Sequence, residues 1–262
     1  MTPVEVERGD GPVVLAMPHV GTGLPGEVWD ALSDRGRALA DTDWHVDRLY
    51  AGLVPGATVV RASYHRYVID LNRDPSGESL YPGQATTGLV PLTDFDGEPI
   101  WARGPGEQEV ARWLGAVHEP YHAALRGELE RVRDRHGWVL LWDCHSIRSH
   151  IPFLFEGVLP DLNVGTFDGR SCSRGVEAAV TGVAEAAPFP SVLNGRFKGG
   201  WTTRHYGRPD EGVQAVQMEI AQSAYLSAEE APWTYDEGRA GRLRPWLRDM
   251  IEAALTAAGE GR

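Results

Sequence analysis

Residues 137–147 read GWVLLWDCHSI, and the five apolar residues at positions 138–142 of this stretch set the fold class. A short, continuous apolar run is typical of a strand that is buried on both faces, as in a parallel sheet. The run PVVLAM at residues 12–17 has the same character, and a histidine follows each run, His145 after one and His19 after the other. The two runs therefore predict parallel strands that each carry a histidine at the carboxyl end.

The other periodic segments alternate between strand and helix signals. Further strands are predicted at residues 57–62 (ATVVRA), 66–71 (RYVIDL) and 213–220 (VQAVQMEI), which are rich in β-branched and apolar residues. Helices are predicted at residues 107–136, with a kink at Pro120 and an end at Gly137, at 173–187 and at 243–255. This order predicts an α/β fold: a single domain over residues 1–262, built on a mixed, mostly parallel sheet that helices flank.

Two long stretches without periodicity, residues 74–105 and 188–212, are rich in Gly, Pro, Thr and Asp. Loops of this length in a compact domain usually build a functional site. Cationic side chains gather beside them: Arg66, Arg73, Arg148, Arg196, Lys198 and Arg204. A solvated surface charge is the simpler interpretation of any one of these residues, but the set favours a pocket for anionic groups such as carboxylates.

Composition excludes several functional classes. The chain has 262 residues and a formal net charge of −12, which disfavours nucleic acid and anionic membrane surfaces as partners. No apolar run approaches the ~20 residues that a membrane span requires, and the acidic N-terminal stretch lacks the apolar core of a secretory signal. We therefore expect a cytoplasmic protein with two free thiols, Cys144 and Cys172, and nothing in the sequence specifies an oligomeric state.

The two strand-end histidines suggest a metal site. Ligands in open α/β sheets bind beyond the carboxyl ends of the strands, so His19 and His145 are expected to be neighbours. Two imidazoles, one carboxylate and an open position make a catalytic zinc site. Asp43 and Asp47 lie one helical turn apart and are the candidate carboxylates, with Asp43 preferred and Asp47 as the alternate. For either histidine alone, a structural, hydrogen-bonded role is the competing interpretation, and it is a weaker competitor for the two histidines together.

A carboxylate interrupts the strand predicted at residues 213–220. Val216, Met218 and Ile220 form one apolar face, which places Glu219 on the other face, where an ionised group needs a partner or a task. Glu219 is a candidate general base that takes a proton from a water activated by the metal. A structural ion pair with an arginine is the competing interpretation.

Cys144 and Ser146 flank His145, and such a neighbourhood could indicate a nucleophile. Successive residues of a strand point to opposite faces, so neither residue can share the direction of His145 while the strand continues. We expect Cys144 to be a small buried residue behind the site, and Ser146 to be either a turn residue or a hydrogen-bond donor that supports the site.

Six blocks, taken in order, resemble the N-formylglutamate amidohydrolase (N-formylglutamate deformylase) family, over roughly residues 12–225. They are PHVGTGLP (18–25), DTDWHVDRLY (41–50), RYVIDLNRDPSGESLYPGQATTGLVP (66–91), DCHSIRSHIPFLFEGVLPDLNVGTFDG (143–169), NGRFKGGWTTRHYGRP (194–209) and QMEIAQ (217–222). The family is similar to zinc carboxypeptidases and aspartoacylase. The resemblance implies a zinc-carboxypeptidase-like (phosphorylase/hydrolase-like) fold and one catalytic Zn²⁺ per chain, with another divalent metal as the alternative.

The resemblance also implies roles for single residues. His19 and His145 would be the metal-binding histidines, and Glu219 the catalytic glutamate. Asn72 and Arg73 resemble the pair that grips the substrate carboxylate and polarises the scissile carbonyl, and Arg73 would also stabilise the oxyanion. Additional contacts to an anionic substrate are expected from Arg66, Arg148, Arg196, Lys198 and Arg204, while His205 would hold substrate or shuttle a proton.

The implied activity is zinc-dependent hydrolysis of N-formyl-L-glutamate to L-glutamate and formate, the last step of a histidine degradation route. A zinc amidohydrolase or carboxypeptidase acting on another N-acyl acidic amino acid would use the same metal and base, and is the alternative. A non-catalytic binder of acidic metabolites is the second alternative, and it would have no use for Glu219 or the paired histidines.

Overall fold

The computed structural model describes residues 1–78 and 87–260. Its elements follow in chain order: β1 (Val4–Glu7), β2 (Val13–Met17), α1 (Gly26–Ala31), α2 (Asp34–Arg37), α3 (Val46–Tyr50), β3 (Thr58–Ala62), α4 (Glu107–Trp113), α5 (Glu119–His136), β4 (Val139–Ile147), β5 (Leu162–Gly165), α6 (Arg174–Ala186), β6 (Ser191–Leu193), α7 (Trp201–Tyr206), β7 (Val213–Ala221) and α8 (Glu237–Glu260). Part of the first long loop predicted from the sequence, residues 79–86, lies outside the described residues.

Within the described ranges, the seven strands form one mixed sheet in the order β1-β3-β2-β4-β7-β5-β6. The four central strands, β3, β2, β4 and β7, run parallel to one another. β1 pairs with β3 in the antiparallel sense, and β5 does the same with β7. The predicted mixed, mostly parallel sheet is confirmed, and the carboxyl ends of β2, β4 and β7 meet at one edge of the sheet.

Helices cover both faces of this sheet. Every residue of β2, β4 and β7 is buried, which explains why β2 and the first four residues of β4 are apolar without interruption. On one face, Trp142 and Met218 pack in a core with residues of α6 and α8. On the opposite face, Leu141 and Ala215 pack in a second core with Leu125 of α5.

The long helical segment predicted at residues 107–136 is two helices joined by a π-helical turn. The turn, Leu114–His118, lies between α4 and α5, and Pro120 is in the first turn of α5. A proline in the interior of a helix removes one backbone hydrogen bond and bends the chain there, and a π turn is a common site of such a kink. Gly137 ends α5 with φ of 77°, a left-handed conformation that glycine adopts without strain.

The strand predicted at residues 66–71 is wrong. The segment is a turn followed by irregular backbone, although Tyr67, Val68, Ile69 and Leu71 are all buried in the core on the α5 face. Its backbone hydrogen bonds are made within loops; the N–H of Val68, for example, donates to the carbonyl of His65. An apolar run indicates burial, and here the buried segment packs in the core without joining the sheet.

The sequence did not indicate β1, β5, β6 or the short helices. The predicted loop at residues 188–212 contains β6 and α7, and these are only three and six residues long. Elements this short contain too few residues for a periodic pattern to be visible. No helix within residues 1–78 and 87–260 combines the length and the apolar composition that crossing a bilayer requires.

Candidate metal centre and active site

His145 is the seventh residue of β4 and faces the edge where the parallel strands end. The register of β4 and β7 places His145 directly beside Glu219. Side chains alternate along a strand, so Asp143 shares the face of His145, whereas Cys144 points into the core on the opposite face. The alternation that argued against Cys144 as a nucleophile holds in the structure.

His19, Asp43 and His145 come together in a buried group that could hold a metal ion. Their candidate ligand atoms all lie within 4.8 Å of one another. The Nδ1 atoms of the two histidines are 3.2 Å apart, and Oδ2 of Asp43 lies 3.2 Å from Nδ1 of His145 and 3.8 Å from Nδ1 of His19. All three side chains are nearly inaccessible to solvent. The structure thus brings together the three residues that the sequence favoured as ligands.

Asp43 rather than the alternate Asp47 occupies this group. Asp43 precedes α3, and its N–H donates to the carbonyl of His19, which fixes the loop against the end of β2. Asp47 lies inside α3, is exposed, and is not part of the group. The two aspartates therefore do not share a helix face. The N–H of Ser146 donates to Oδ2 of Asp43, which is how Ser146 supports the site.

Two carboxylates that the sequence analysis missed hold the far side of each imidazole. Nε2 of His19 lies 2.7 Å from Oδ1 of Asp70, and Nε2 of His145 lies 3.0 Å from Oδ1 of Asp143. A carboxylate accepts these hydrogen bonds only from a protonated Nε2, so each Nδ1 presents its lone pair to the shared centre. The position of Asp143, two residues before His145 on a strand, was the available signal for one of them.

The centre carries an excess of buried negative charge. The carboxylates of Asp43, Asp70 and Asp143 are at most 1% exposed, and Arg66, which is also buried, makes an ion pair with Oδ1 of Asp43. Burial raises the pKa of Asp70, but the charges of His19 and neighbouring arginines outweigh burial and hold that pKa well below its ordinary value. The group therefore favours a cation at the centre of the two imidazoles and Asp43.

The surroundings shift the pKa values of the two histidines in opposite directions. Burial, together with the charge of Arg66, lowers the pKa of His19 to about 4. Burial also lowers the pKa of His145, but Asp143 and Asp43 outweigh it, and the net pKa is well above its ordinary value. The surroundings of His145 therefore favour its charged form, whereas those of His19 favour the neutral form.

Glu219 lies on β7, is 7% exposed, and lines a cavity that opens over the metal group. Burial, assisted by the negative charges of Asp43 and Asp143, raises the pKa of Glu219 to about 8, against the opposing effects of His145 and Arg66. Within the described residues, the one hydrogen bond to this carboxylate comes from Nε2 of Gln217, at 3.2 Å from Oε2. Glu219 is not paired with an arginine there, contrary to the competing interpretation.

One cavity opens over the metal group, and cations and apolar side chains share its wall. Its cationic lining residues are Arg66, Arg73 and Arg196, and Asn72 lies among them. The apolar part of the wall consists of Phe95, Ile147, Leu154 and Phe197. A few convergent polar groups in an otherwise apolar cleft are typical of a small-molecule site.

Asn72 and Arg73 both line this cavity and are held by hydrogen bonds. Nδ2 of Asn72 approaches within 3.1 Å of Nε2 of His145, and Oδ1 of Asn72 accepts from the N–H of Thr202. The guanidinium of Arg73 donates to the carbonyl and hydroxyl oxygens of Thr87 and to the carbonyl of Asn72. These bonds leave one N–H on each terminal nitrogen of Arg73 without a partner among the described residues.

Four of the residues predicted to contact substrate do not line the cavity: Arg148, Lys198, Arg204 and His205. Arg148 pairs with Asp96, and Lys198 pairs with Asp168 at the surface. Arg204 lies over the ring of Phe167, and His205 is exposed and stacked on Trp201. Their positions in the sequence suggested that these residues lie at the site, but none of the four lines the cavity.

Comparison with known proteins gives consistent matches over nearly the full chain. The sequence profile of the N-formylglutamate amidohydrolase family matches residues 11–226. The chain is 48% identical over 257 residues to the N-formylglutamate deformylase of Pseudomonas putida, covering 97% of this chain and 96% of that protein. It is 47% identical over 253 residues to the protein of the same name from Pseudomonas aeruginosa, covering 95% and 94%.

A solved structure shows the same similarity in three dimensions. The crystal structure of N-formylglutamate amidohydrolase from Ralstonia eutropha JMP134 superposes with a TM-score of 0.79 at 28% identity, covering 99% of this chain and 98% of that one.

Proposed function

Because the chain belongs to the N-formylglutamate amidohydrolase family, we propose that it is a zinc-dependent N-formylglutamate deformylase. The reaction is hydrolysis of N-formyl-L-glutamate to L-glutamate and formate, the last step of a histidine degradation route in the cytoplasm. The observation that carries this proposal is the buried group of His19, Asp43 and His145, in which carboxylates fix the outer nitrogen of both imidazoles.

The donor set fits a zinc ion. Two imidazole nitrogens and one carboxylate oxygen are the ligands of a common class of catalytic zinc site, which leaves a fourth position open. Asp70 and Asp143 supply the outer hydrogen bonds that such histidines need for orientation and basicity. Without a cation, two Nδ1 lone pairs would face each other at 3.2 Å beside a carboxylate, unless one nitrogen is protonated. The raised pKa of His145 indicates such a proton, which a metal would displace.

Zn²⁺ in a site of this kind supplies Lewis acidity, which lowers the pKa of water toward ~7 and polarises a carbonyl. Glu219 is placed to accept the proton of the attacking water and to pass it to the leaving amine of glutamate. Its pKa of about 8 belongs to the metal-free chain. A cation held by the adjacent His145 would favour the carboxylate and lower this pKa toward the range of a general base.

In this proposal, Arg73 and Arg196 bind the two carboxylates of N-formylglutamate. Both line the cavity, and Arg73 retains one N–H on each terminal nitrogen for an anion. Asn72, held by Thr202, contributes an amide beside His145. Arg66 lines the same cavity and donates from Nη2 to Oδ1 of Asp43, so it would hold that carboxylate in place. Substrate binding is thereby assigned to residues of the wall rather than to Arg148 or Lys198.

The test measures metal content and turnover together. Protein purified without chelator should contain about one zinc per chain and release formate from N-formyl-L-glutamate, faster than from N-formyl-L-aspartate and without comparable acetate release from N-acetyl-L-aspartate. Absence of stoichiometric metal, with no formate release restored by Zn²⁺ or Co²⁺, would contradict the proposal. Preference for another N-acyl acidic amino acid would keep the metal mechanism and replace the substrate.

The assignment of the cations has its own matched pair of variants. Arg196→Met should raise KM for N-formyl-L-glutamate, because it removes a charge from the cavity wall. Arg148→Met removes the same group from outside the cavity, where it pairs with Asp96, and should leave KM unchanged. Equal effects of the two variants would contradict the assignment.

A further inference from the structure

Gln217 is a buried amide whose role the sequence analysis did not address. It lies on β7 two residues before Glu219, so the two side chains share one face of the sheet. Gln217 is 3% exposed and lines the same cavity. A buried amide of this kind occupies core space that an apolar residue could fill, and its polar atoms require partners.

Both ends of the Gln217 amide have specific partners. Oε1 accepts a hydrogen bond from the N–H of Gly200 at 2.6 Å, and Nε2 donates to Oε2 of Glu219 at 3.2 Å. The opposite orientation of the amide would set its NH₂ against an N–H and its oxygen against a carboxylate. The backbone of Gly200 therefore determines that Gln217 presents a donor to Glu219.

Gly200 is itself fixed relative to the site. A Cβ at this position would lie 2.2 Å from Nδ2 of Asn72, so the backbone can pack against Asn72 only because the residue is glycine. Two residues further on, the N–H of Thr202 donates to Oδ1 of Asn72, and Oγ1 of Thr203 donates to Oδ2 of Asp143. The segment from Gly200 to Thr203 thus spans the groups around both His145 and Glu219.

We propose that Gln217, oriented by the N–H of Gly200, is a positioning residue that holds Oε2 of Glu219 and leaves Oε1 to act on the substrate. This inference rests on the proposed function, in which Glu219 is the general base. A carboxylate held by a single donor on one oxygen has a defined direction and still has one oxygen available for proton transfer. Gln217 would therefore affect kcat far more than KM.

Another glutamine of the same strand provides a matched control. Oε1 of Gln214 also accepts a backbone hydrogen bond at 2.6 Å, from the N–H of Ser173, and Gln214 is 8% exposed. It lies on the opposite face of β7, away from the cavity. Gln214→Met and Gln217→Met each remove a buried amide and one backbone hydrogen bond, but only the second removes a donor from Glu219.

The experiment compares two variants with the wild-type holoenzyme by formate release, with urea denaturation and metal content measured in parallel. Gln217→Met should lower kcat about 10- to 100-fold at a nearly unchanged KM, because a hydrogen bond to a charged group is lost. Gln214→Met should keep kcat.

Equal losses of kcat in Gln217→Met and Gln214→Met would overturn the inference, because that result assigns Gln217 a merely structural role. A second measurement is independent of the substrate. The side-chain amide signal of Gln217 in ¹H–¹⁵N NMR, identified by its loss in Gln217→Met, should shift in Glu219→Leu. An unshifted signal contradicts the contact, whereas an inactive wild-type protein contradicts only the proposed function.

Discussion

Replacing Asp70 by asparagine removes a buried negative charge from His19 but keeps the acceptor that the histidine needs. Oδ1 of Asp70 accepts from Nε2 of His19 at 2.7 Å and from the N–H of Asn72 at 2.8 Å. Oδ2 is buried and has no partner among the described residues. Asparagine can keep both bonds to its Oδ1 and place its NH₂ where Oδ2 stood. The variant therefore tests the charge more than the shape of the site.

The expected effect on metal affinity follows from the type of hydrogen bond. Metal binding makes His19 more positive, so the ionised Asp70 strengthens its bond to Nε2 more than a neutral amide can. Hydrogen bonds to charged groups contribute about 1–2 kcal/mol more than neutral ones, which corresponds to about 5- to 30-fold weaker metal binding in Asp70→Asn. Asp70→Leu removes the bond altogether and should approach the ~100-fold loss that outer-sphere variants can show.

The assay is competition for Zn²⁺ between the apoprotein and a chromophoric chelator of known affinity. Asp41 provides a matched control, because one of its oxygens accepts from Tyr67 and from the N–H of Phe95 while the other is buried without a described partner. Asp41→Asn should bind zinc nearly as tightly as the wild type, since Asp41 contacts neither histidine. Wild-type affinity in Asp70→Asn and in Asp70→Leu would refute the assigned role of Asp70.

Three further predictions concern the base, the thiol and the pH dependence of stability. Glu219→Gln should keep its metal and lose about 10²- to 10⁴-fold in formate release, whereas His145→Ala should lose metal and activity together; an active glutamine variant would exclude Glu219 as the base. Cys144→Ala should keep kcat and lose about 1 kcal/mol of unfolding free energy in urea, because Cys144 is fully buried on the face of β4 opposite to His145. Loss of turnover at full metal content would instead indicate a catalytic role for Cys144. Burial lowers the pKa of His122 to about 3, below its unfolded value of about 6.5. Between these two pH values the unfolded chain binds more protons than the folded chain, so the unfolding free energy should fall as the pH decreases. In His122→Gln this fall, followed by urea titration from pH 7 down to pH 5, should be smaller by up to about 1.4 kcal/mol per pH unit, and an identical slope would contradict the lowered pKa.

The sequence was sufficient to identify the strands and the two histidines around which the site is built. The apolar runs before His19 and His145 identified two strands buried on both faces, and parallel strands deliver their carboxyl ends to the same edge of a sheet. The two-residue period of a strand separated His145 from Cys144 and put Glu219 on the polar side of β7. These inferences depend only on local periodicity, which is written in the sequence itself.

Only the tertiary structure decided the contacts that loops make. Asp43 and Asp47 were both candidates by spacing, and the choice depended on where α3 begins and how the preceding loop packs against His19. The contact of Asp70 with His19 and the contact of Gln217 with Gly200 each join residues more than fifteen positions apart in sequence. Loops have no period that ties a side chain to a direction, so packing, rather than sequence neighbourhood, determines which side chains reach the cavity.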